Sequence, residues 1–254
     1  RITLQTREQH IKKDKATSNI CTSQSLLSVV AAMYAVYHGK QGLIGIAKQI
    51  NYNASIFANN LVRHGIKIKS NRIFDTVTFY TDTPHQIIDT LYQMGYNSLI
   101  NDDKTISIAI NENISYGDID TITQVVVGKD YQRMLPSSVM DIPDEILRSD
   151  NFLSQRIFNS IRTETDLTRY IQSLENKDYT LTEGMIPLGS CTMKLNAVSE
   201  LVGLSNEKMQ NIHPYCGKYN SLGYLRMIES LTSMLTNLIG LDHISYQTNS
   251  GAMG

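Results

Sequence analysis

The chain of 254 residues lacks any surplus of charge, with 23 Lys and Arg against 24 Asp and Glu. Neither a nucleic-acid backbone nor an anionic membrane would meet the one-signed field that such partners need. No apolar run approaches the roughly 20 residues of a bilayer-spanning helix, so no membrane partner is expected either. Cysteine is scarce. Cys21, Cys191 and Cys216 are too few and too far apart for a disulfide framework or a zinc pattern, which favours a reducing compartment. The six histidines stand without ligand spacing, so no metal site is expected. The opening residues, Arg1-Ile2-Thr3-Leu4-Gln5, show neither methionine nor the charged-then-apolar layout of a targeting peptide, which suits a chain that begins inside a longer one.

What the sequence does hold is 41% hydrophobic and 19% charged residues, enough apolar material for a sizeable core in one large or two small domains. Leu26, Val30, Met33, Tyr34 and Tyr37 recur at helical spacing and predict a helix from about Thr22 to His38, stopped at Gly39. A second should begin near Gln41 and run to Gly65. Between Asp75 and Thr81 the period becomes two, with Val77 and Phe79 on one face, which predicts a half-buried strand. Thr83-Pro84 reads as the N-cap and first turn of a helix carrying Ile87, Ile88, Leu91 and Met94. Two β segments, Ser98 to Ile100 and Thr105 to Ile110, flank a turn at Asn101-Asp102-Asp103-Lys104. Ser115-x-x-Asp118 is a capping box for a helix through Val127. The β-α-β-β-α order suits a layered α+β unit. Within it Asp102 and Asp103 read as turn-formers, and His64 and His85 as exposed.

A weaker stretch with Pro136 and Pro143 reads as a linker. Phe152 to Asn159 should add a short helix, and Thr163-x-x-Asp166 should cap another bearing Leu167, Tyr170, Ile171 and Leu174. Asn211-Ile212-His213-Pro214 reads as a turn. Tyr224, Met227, Ile228, Leu231, Leu235, Leu238 and Ile239 then trace one helical face that Gly240 ends. Ile244-Ser245-Tyr246-Gln247 is expected to be a short strand.

Chemistry concentrates in three stretches. Ile186-Pro187-Leu188-Gly189-Ser190-Cys191-Thr192-Met193-Lys194-Leu195-Asn196-Ala197 sets a Pro and a Gly among hydroxyl, thiol, amine and amide heads, which predicts a loop at the surface or lining a site. Near the start lies Arg7-Glu8-Gln9-His10-Ile11-Lys12-Lys13-Asp14-Lys15-Ala16-Thr17-Ser18-Asn19-Ile20-Cys21-Thr22. At the end lies Gln247-Thr248-Asn249-Ser250-Gly251-Ala252-Met253-Gly254, a small glycine-bearing turn leading towards a helix. Backbone N–H groups at such a turn, with a hydroxyl beside them, can hold an anion such as phosphate.

These three stretches, in this order, resemble the P-protein of the glycine cleavage system, the pyridoxal-phosphate-dependent glycine decarboxylase. The resemblance implies a chain that is α/β and α+β, a piece of the long single-chain form with its two fold-type-I pyridoxal-enzyme-like halves. By that likeness residues 1–25 end the large domain of the first half, 26–130 form its small α+β domain, 131–180 a linker and helical arm, and 181–254 open the cofactor-binding large domain of the second half. It assigns the phosphate cradle of pyridoxal 5'-phosphate to Ser250, Gly251 and Ala252. Many relatives have Gln where Met253 stands, so only backbone donors are expected there. It places Ser190, Thr192, Lys194 and Asn196 in a loop that reaches glycine's carboxylate or its surroundings, and Thr17, Ser18 and Asn19 at the entrance. Cys21 and Cys191 are expected as packed thiols and His213 as structural. The cofactor lysine of the family follows a histidine, and no His-Lys pair occurs in these residues, so the piece alone is expected to be inactive.

The implied reaction removes carbon dioxide from glycine with the pyridinium ring as electron sink, then passes the aminomethyl carbon to the lipoyl disulfide of the H-protein. The implied partners are glycine, the lipoyl H-protein and a second copy of the intact enzyme. The implied location is the mitochondrial matrix in a eukaryote and the cytoplasm in a bacterium. Two alternatives stay open: another fold-type-I pyridoxal enzyme, such as an aminotransferase or desulfurase, and a piece that only binds partner proteins.

Overall fold

A computed structural model describes Lys15 and residues 26–129, 131–133, 135, 142–177, 197–213 and 216–248. The fold combines helices with one small sheet, an α+β arrangement. The chain divides into two units: residues 1–40, 152–210 and 232–254 form one, and residues 41–151 with 211–231 the other.

The second unit carries the core. Helix α1 (Leu26–Arg63) enters it after a break at Gly39, whose φ of 59° and ψ of −171° are not helical. From Ala54 to Leu61 all its side chains but that of Asn59 are almost entirely enclosed, and Gly65, with φ 80°, turns the chain away beyond its end. Strand β1 (Thr76–Tyr80) follows with Val77 and Phe79 buried and Thr76 and Tyr80 exposed, the face alternation expected. Helix α2 (Pro84–Gln93) buries Pro84, Ile87 and Leu91. Thr83 precedes it, but its side chain makes no cap bond. Its own N–H donates to the Thr81 hydroxyl at 3.2 Å, a side-chain turn just before the helix.

Strands β2 (Leu99–Asp102) and β3 (Thr105–Ala109) form a hairpin whose turn is shorter than the sequence suggested. Asp102 joins the strand and its carboxylate accepts the Lys104 N–H at 2.9 Å, closing the turn with two residues. The sheet runs β1-β3-β2, antiparallel throughout, with Val77 opposite Ile108 and Phe79 opposite Ile106. An irregularity between Ile100 and Asp102 shifts the β2 register. Helix α3 (Tyr116–Val127) starts in a complete capping box. Ser115 Oγ accepts from Asp118 N–H at 3.1 Å, and Asp118 Oδ2 accepts from Ser115 N–H at 2.8 Å.

One apolar cluster unites these pieces: Phe57 and Leu61 from α1, Val77 and Phe79 from β1, Leu91 from α2, Ile106 and Ile108 from β3, Ile119 and Ile122 from α3. Enclosing a Phe or Leu side chain contributes about 1.5–3 kcal/mol, so this cluster dominates the unit's stability. The polar groups that enter it are bonded. Asn51 donates to the Ile73 and Phe74 carbonyls, both at 3.0 Å, Ser55 donates to the Asn51 carbonyl at 2.8 Å and Thr123 to that of Ile119 at 2.6 Å.

The first unit has less enclosed apolar surface, with Val36 and Ile161 its buried hydrophobic residues among those described. The expected helix at Phe152 to Asn159 is a single turn, α4 (Ile157–Ser160). Helix α5 (Glu164–Glu175) starts as expected, with Thr163 Oγ1 accepting from Asp166 N–H at 3.1 Å. Its apolar stripe faces outwards in part, with Ile171 and Leu174 exposed. Short turns α6 (Val198–Leu201) and α7 (Glu207–Gln210) follow. Helix α8 (Leu222–Ile239), whose residues up to Leu231 belong to the second unit, ends at Gly240, whose φ is 71°. Its apolar positions Met227, Ile228, Leu231, Met234 and Leu238 are exposed.

Candidate functional site

The residues proposed from sequence for the phosphate cradle (Ser250, Gly251 and Ala252), the substrate loop (Ser190, Thr192, Lys194 and Asn196) and the entrance (Thr17, Ser18 and Asn19) all lie outside the described residues, as do Cys21 and Cys191. What is described is the approach to the first of these groups. Gly240 donates its N–H to the Thr236 carbonyl at 2.9 Å and ends α8, as its position in the sequence implied. The Ile244-to-Gln247 segment is not the strand expected. Strand pairing needs a neighbour's backbone, and among the described residues none is paired with it. Tyr246 is instead tied by its hydroxyl to Thr232 Oγ1 of α8, at 3.0 Å. The segment that precedes the proposed turn is thereby anchored to its own helix.

Cys216 N–H donates to the His213 carbonyl at 2.9 Å. Cys216 is a half-buried free thiol and His213 is exposed.

Within the second unit lies an open cleft of about 510 Å³, which sequence reasoning did not single out. Lys67 and Lys104 bring two positive charges to it and Asp82 one negative charge. Lys67 Nζ stands 5.2 Å from the centroid of the Tyr80 ring, a cation–π arrangement. The backbone builds this rim. Tyr80 N–H donates to the Lys67 carbonyl and Thr81 N–H to the Lys104 carbonyl, both at 2.9 Å. No periodic signal marks Lys67 and Lys104, which stand 37 positions apart (104 − 67) and meet only through β1 pairing. The cleft has no histidine, cysteine or carboxylate pair, so it offers a polar recess and not an acid–base set.

Titratable groups in this unit serve its architecture. The Ser115 hydroxyl, then the Tyr96 hydroxyl at 2.6 Å and the Ser115 N–H, hold Asp118 below the ordinary carboxylate range. The same bond to Asp118 pushes the Tyr96 phenol up. The Lys104 N–H lowers Asp102 first, which agrees with a turn-forming role. His64 is not the exposed ring expected. It is half-buried, with Nδ1 2.7 Å from the Asn60 carbonyl and Nε2 accepting from Gln132 N–H at 3.3 Å, because the segment after α3 returns across the end of α1. No group of three or more His, Cys, Asp or Glu that could hold a metal occurs among the described residues. None of the described helices is long and apolar enough to cross a membrane.

The family model of the glycine cleavage system P-protein matches residues 1–126. All of the chain aligns with curated relatives: 38% identity over 263 residues to glycine dehydrogenase (decarboxylating) 2 of Colwellia psychrerythraea, and 39% over 259 residues to the mitochondrial glycine dehydrogenase (decarboxylating) of Pisum sativum. The chain is similar over its whole length to P-proteins of the glycine cleavage system. The mitochondrial form of Mus musculus is 39% identical over 267 residues. The chain covers 27%, 24% and 25% of these three relatives, so it spans about a quarter of the length of a P-protein. The family match ends at residue 126, within the last turn of α3, so it takes in α1, β1, α2, β2, β3 and nearly all of α3.

Proposed function

We propose that this chain is part of a glycine decarboxylase that transfers the aminomethyl group of glycine to the lipoyl arm of an H-protein. The observation that carries the reading is alignment over all of the chain, at 38–40% identity, with proteins named glycine dehydrogenase (decarboxylating). The three ordered sequence stretches support it from the residues themselves.

On this reading the parent is a fold-type-I pyridoxal-phosphate enzyme and acts as a homodimer. Residues 26–130 are the small domain of its first half, and residues 181–254 open the large domain of its second. Bound pyridoxal phosphate supplies the electron sink for the carbon–carbon bond that breaks. Ser250, Gly251 and Ala252 hold its phosphate through backbone N–H groups and the serine hydroxyl, in the manner of an anion site at a helix start. The anchoring of Tyr246 to Thr232 steadies the approach to that turn. Ser190, Thr192, Lys194 and Asn196 donate to the substrate carboxylate or to loops around it, with Lys194 supplying the positive charge, and Thr17, Ser18 and Asn19 line the entrance. The exposed apolar face of α8 packs against further parts of the parent, since exposed patches of this kind mark an interface. A eukaryotic parent works in the mitochondrial matrix, a reading that the relatives named mitochondrial support, and a bacterial one in the cytoplasm.

The test is exchange of the glycine carboxyl with labelled bicarbonate by the full-length parent with H-protein present. Exchange that depends on both proteins is expected. Its absence, or measurable transfer of the amino group to a keto acid in its place, overturns the reading. No His-Lys pair occurs among these 254 residues, so the 254-residue chain mixed with pyridoxal phosphate should develop no specific aldehyde–lysine absorption band.

A further inference from the structure

Lys67 and Lys104 bracket the end of β1 from its two edges. The Lys67 carbonyl accepts the Tyr80 N–H and the Lys104 carbonyl accepts the Thr81 N–H. Both residues line the open cleft of the second unit, beside Ile66, Val126 and Tyr80. The two lysines and Asp82 are exposed, and among the described residues none of the three takes part in an ion pair. The cleft therefore carries a net positive charge that the fold leaves unanswered. The sequence leading to it has the same sign: no Asp or Glu stands between Gln41 and Phe74, while Arg63, Lys67, Lys69 and Arg72 close that stretch.

The backbone beside the cleft is open as well. Lys69 N–H donates to the Thr78 carbonyl at 2.8 Å, so with the Tyr80-to-Lys67 bond residues 67–69 pair with β1 around an Ile68–Phe79 bridge. Backbone groups alternate in direction along such a segment, which turns the Ile68 N–H and carbonyl away from β1. Among the described residues nothing bonds to either. Ile68 buries its side chain, so Lys67 and Lys69 project from the opposite face. Lysines on an edge discourage sheets from pairing with one another. That role does not call for Lys104, on the far side of β1, to share a cleft with Lys67.

We propose that this end of the sheet is a docking site for an extended acidic segment of a partner protein. The segment pairs with Ile68 as an added strand and runs on across the end of β1, where its carboxylates meet Lys67 and Lys104. An open recess leaves most of a small ligand in water, whereas a chain lying along the edge covers it. Two strand spacings, about 10 Å in all, separate the backbones of Lys67 and Lys104, so acidic residues two or three positions apart in the segment suit them. Asp82 opposes the segment's charge and limits its affinity. The docking site is independent of the proposed decarboxylase reading.

The test uses the full 254-residue chain and a fluorescein-labelled decapeptide of alternating Glu and Thr, read by fluorescence anisotropy at low ionic strength. Binding is expected, with none to the same peptide carrying Gln in place of Glu. Lys67→Gln and Lys104→Gln should each weaken it about threefold to fivefold, the scale of an exposed ion pair. Asp82→Asn should tighten it. Lys48→Gln, at an exposed position of α1 well before its end, should leave it unchanged. Amide exchange in β1 and β3 should be the same in every variant, which separates lost contacts from lost structure. No binding, or equal binding of the Gln peptide, overturns the proposal. So does a loss in Lys48→Gln as large as that in Lys67→Gln, which would mean a diffuse field in place of a site. Full displacement of the labelled peptide by free glutamate at the same carboxylate concentration overturns it too, since the cleft would then hold small anions without help from the edge.

Discussion

The rings of Phe57 and Phe79 meet edge to face, with centroids 6.1 Å apart and planes at 82°. Both side chains are fully enclosed, and they join α1 to β1 at the centre of the α+β unit. Edge-to-face contact adds about 0.5–1.5 kcal/mol to the burial itself. Phe79→Ala should therefore destabilise this unit by about 3–5 kcal/mol, the range for a buried Phe reduced to Ala. Phe79→Leu, which refills most of the volume, should cost clearly less. Urea unfolding followed by far-ultraviolet circular dichroism checks this, and equal midpoints for the two variants would show that ring packing is not what the site supplies.

Asn51 presents a different kind of core dependence. Its amide Nδ2 serves two backbone carbonyls, those of Ile73 and Phe74, from a side chain that is 6% exposed. Asn51→Leu retains similar bulk but leaves both carbonyls without this donor. A buried polar group left unpaired costs about 1–3 kcal/mol, so the variant should unfold at lower urea despite its greater hydrophobicity. A stability equal to or above the parent's would mean that water reaches residues 73–74.

The Ser115–Asp118 capping box carries a pH dependence whose sign follows from the bonds. Ser115→Ala should cost about 1 kcal/mol, as loss of a helix N-cap does. Asp118 is held below its ordinary range by the Ser115 hydroxyl first, so its folded pKa lies under its unfolded one. Its contribution is therefore present above the unfolded value, about 3.9, and is lost as pH falls through the lower folded value. Asp118→Asn should flatten that acid-side part of the stability curve. Identical slopes below pH 4 for the parent and the variant would remove the assignment.

Much of the fold was legible from local pattern. Period-3.6 apolar spacing marked α1, α2 and α8, period-2 alternation marked β1, and Ser115 and Thr163, ahead of α3 and α5, both cap as their spacing to an acidic residue implied. These signals survive because each involves residues within one or two turns of each other. Thr83 precedes α2 as expected but makes no side-chain cap bond, and residues 244–247 failed as a strand because pairing depends on a neighbour that composition does not name. The bond from Arg162 to the Val36 carbonyl spans 126 positions, and nothing around either residue announces it. The candidate site was legible only as motifs. Ser190 and Ser250 carry chemistry suited to an anion, but their companions must be brought from other parts of the chain.

Tyr131 offers the last prediction, on the alkaline side. Its hydroxyl donates to Asp120 Oδ1 at 2.8 Å, and Arg133 Nη1 pairs with Oδ2 of the same carboxylate at 3.1 Å. Burial, then the bond to Asp120 and its negative charge, pushes the phenol up to about 12. A folded pKa above the unfolded value of about 10 means that the associated stability is fully present below pH 10 and is lost as pH rises through about 12. Among the 14 tyrosines this one should thus ionise late. Titration at the phenolate absorbance band should show a component above pH 11 that Tyr131→Phe abolishes and Asp120→Asn moves to lower pH by removing the charge. Superimposable curves for the parent and Tyr131→Phe would mean that the segment after α3 leaves its place before the phenol loses its proton.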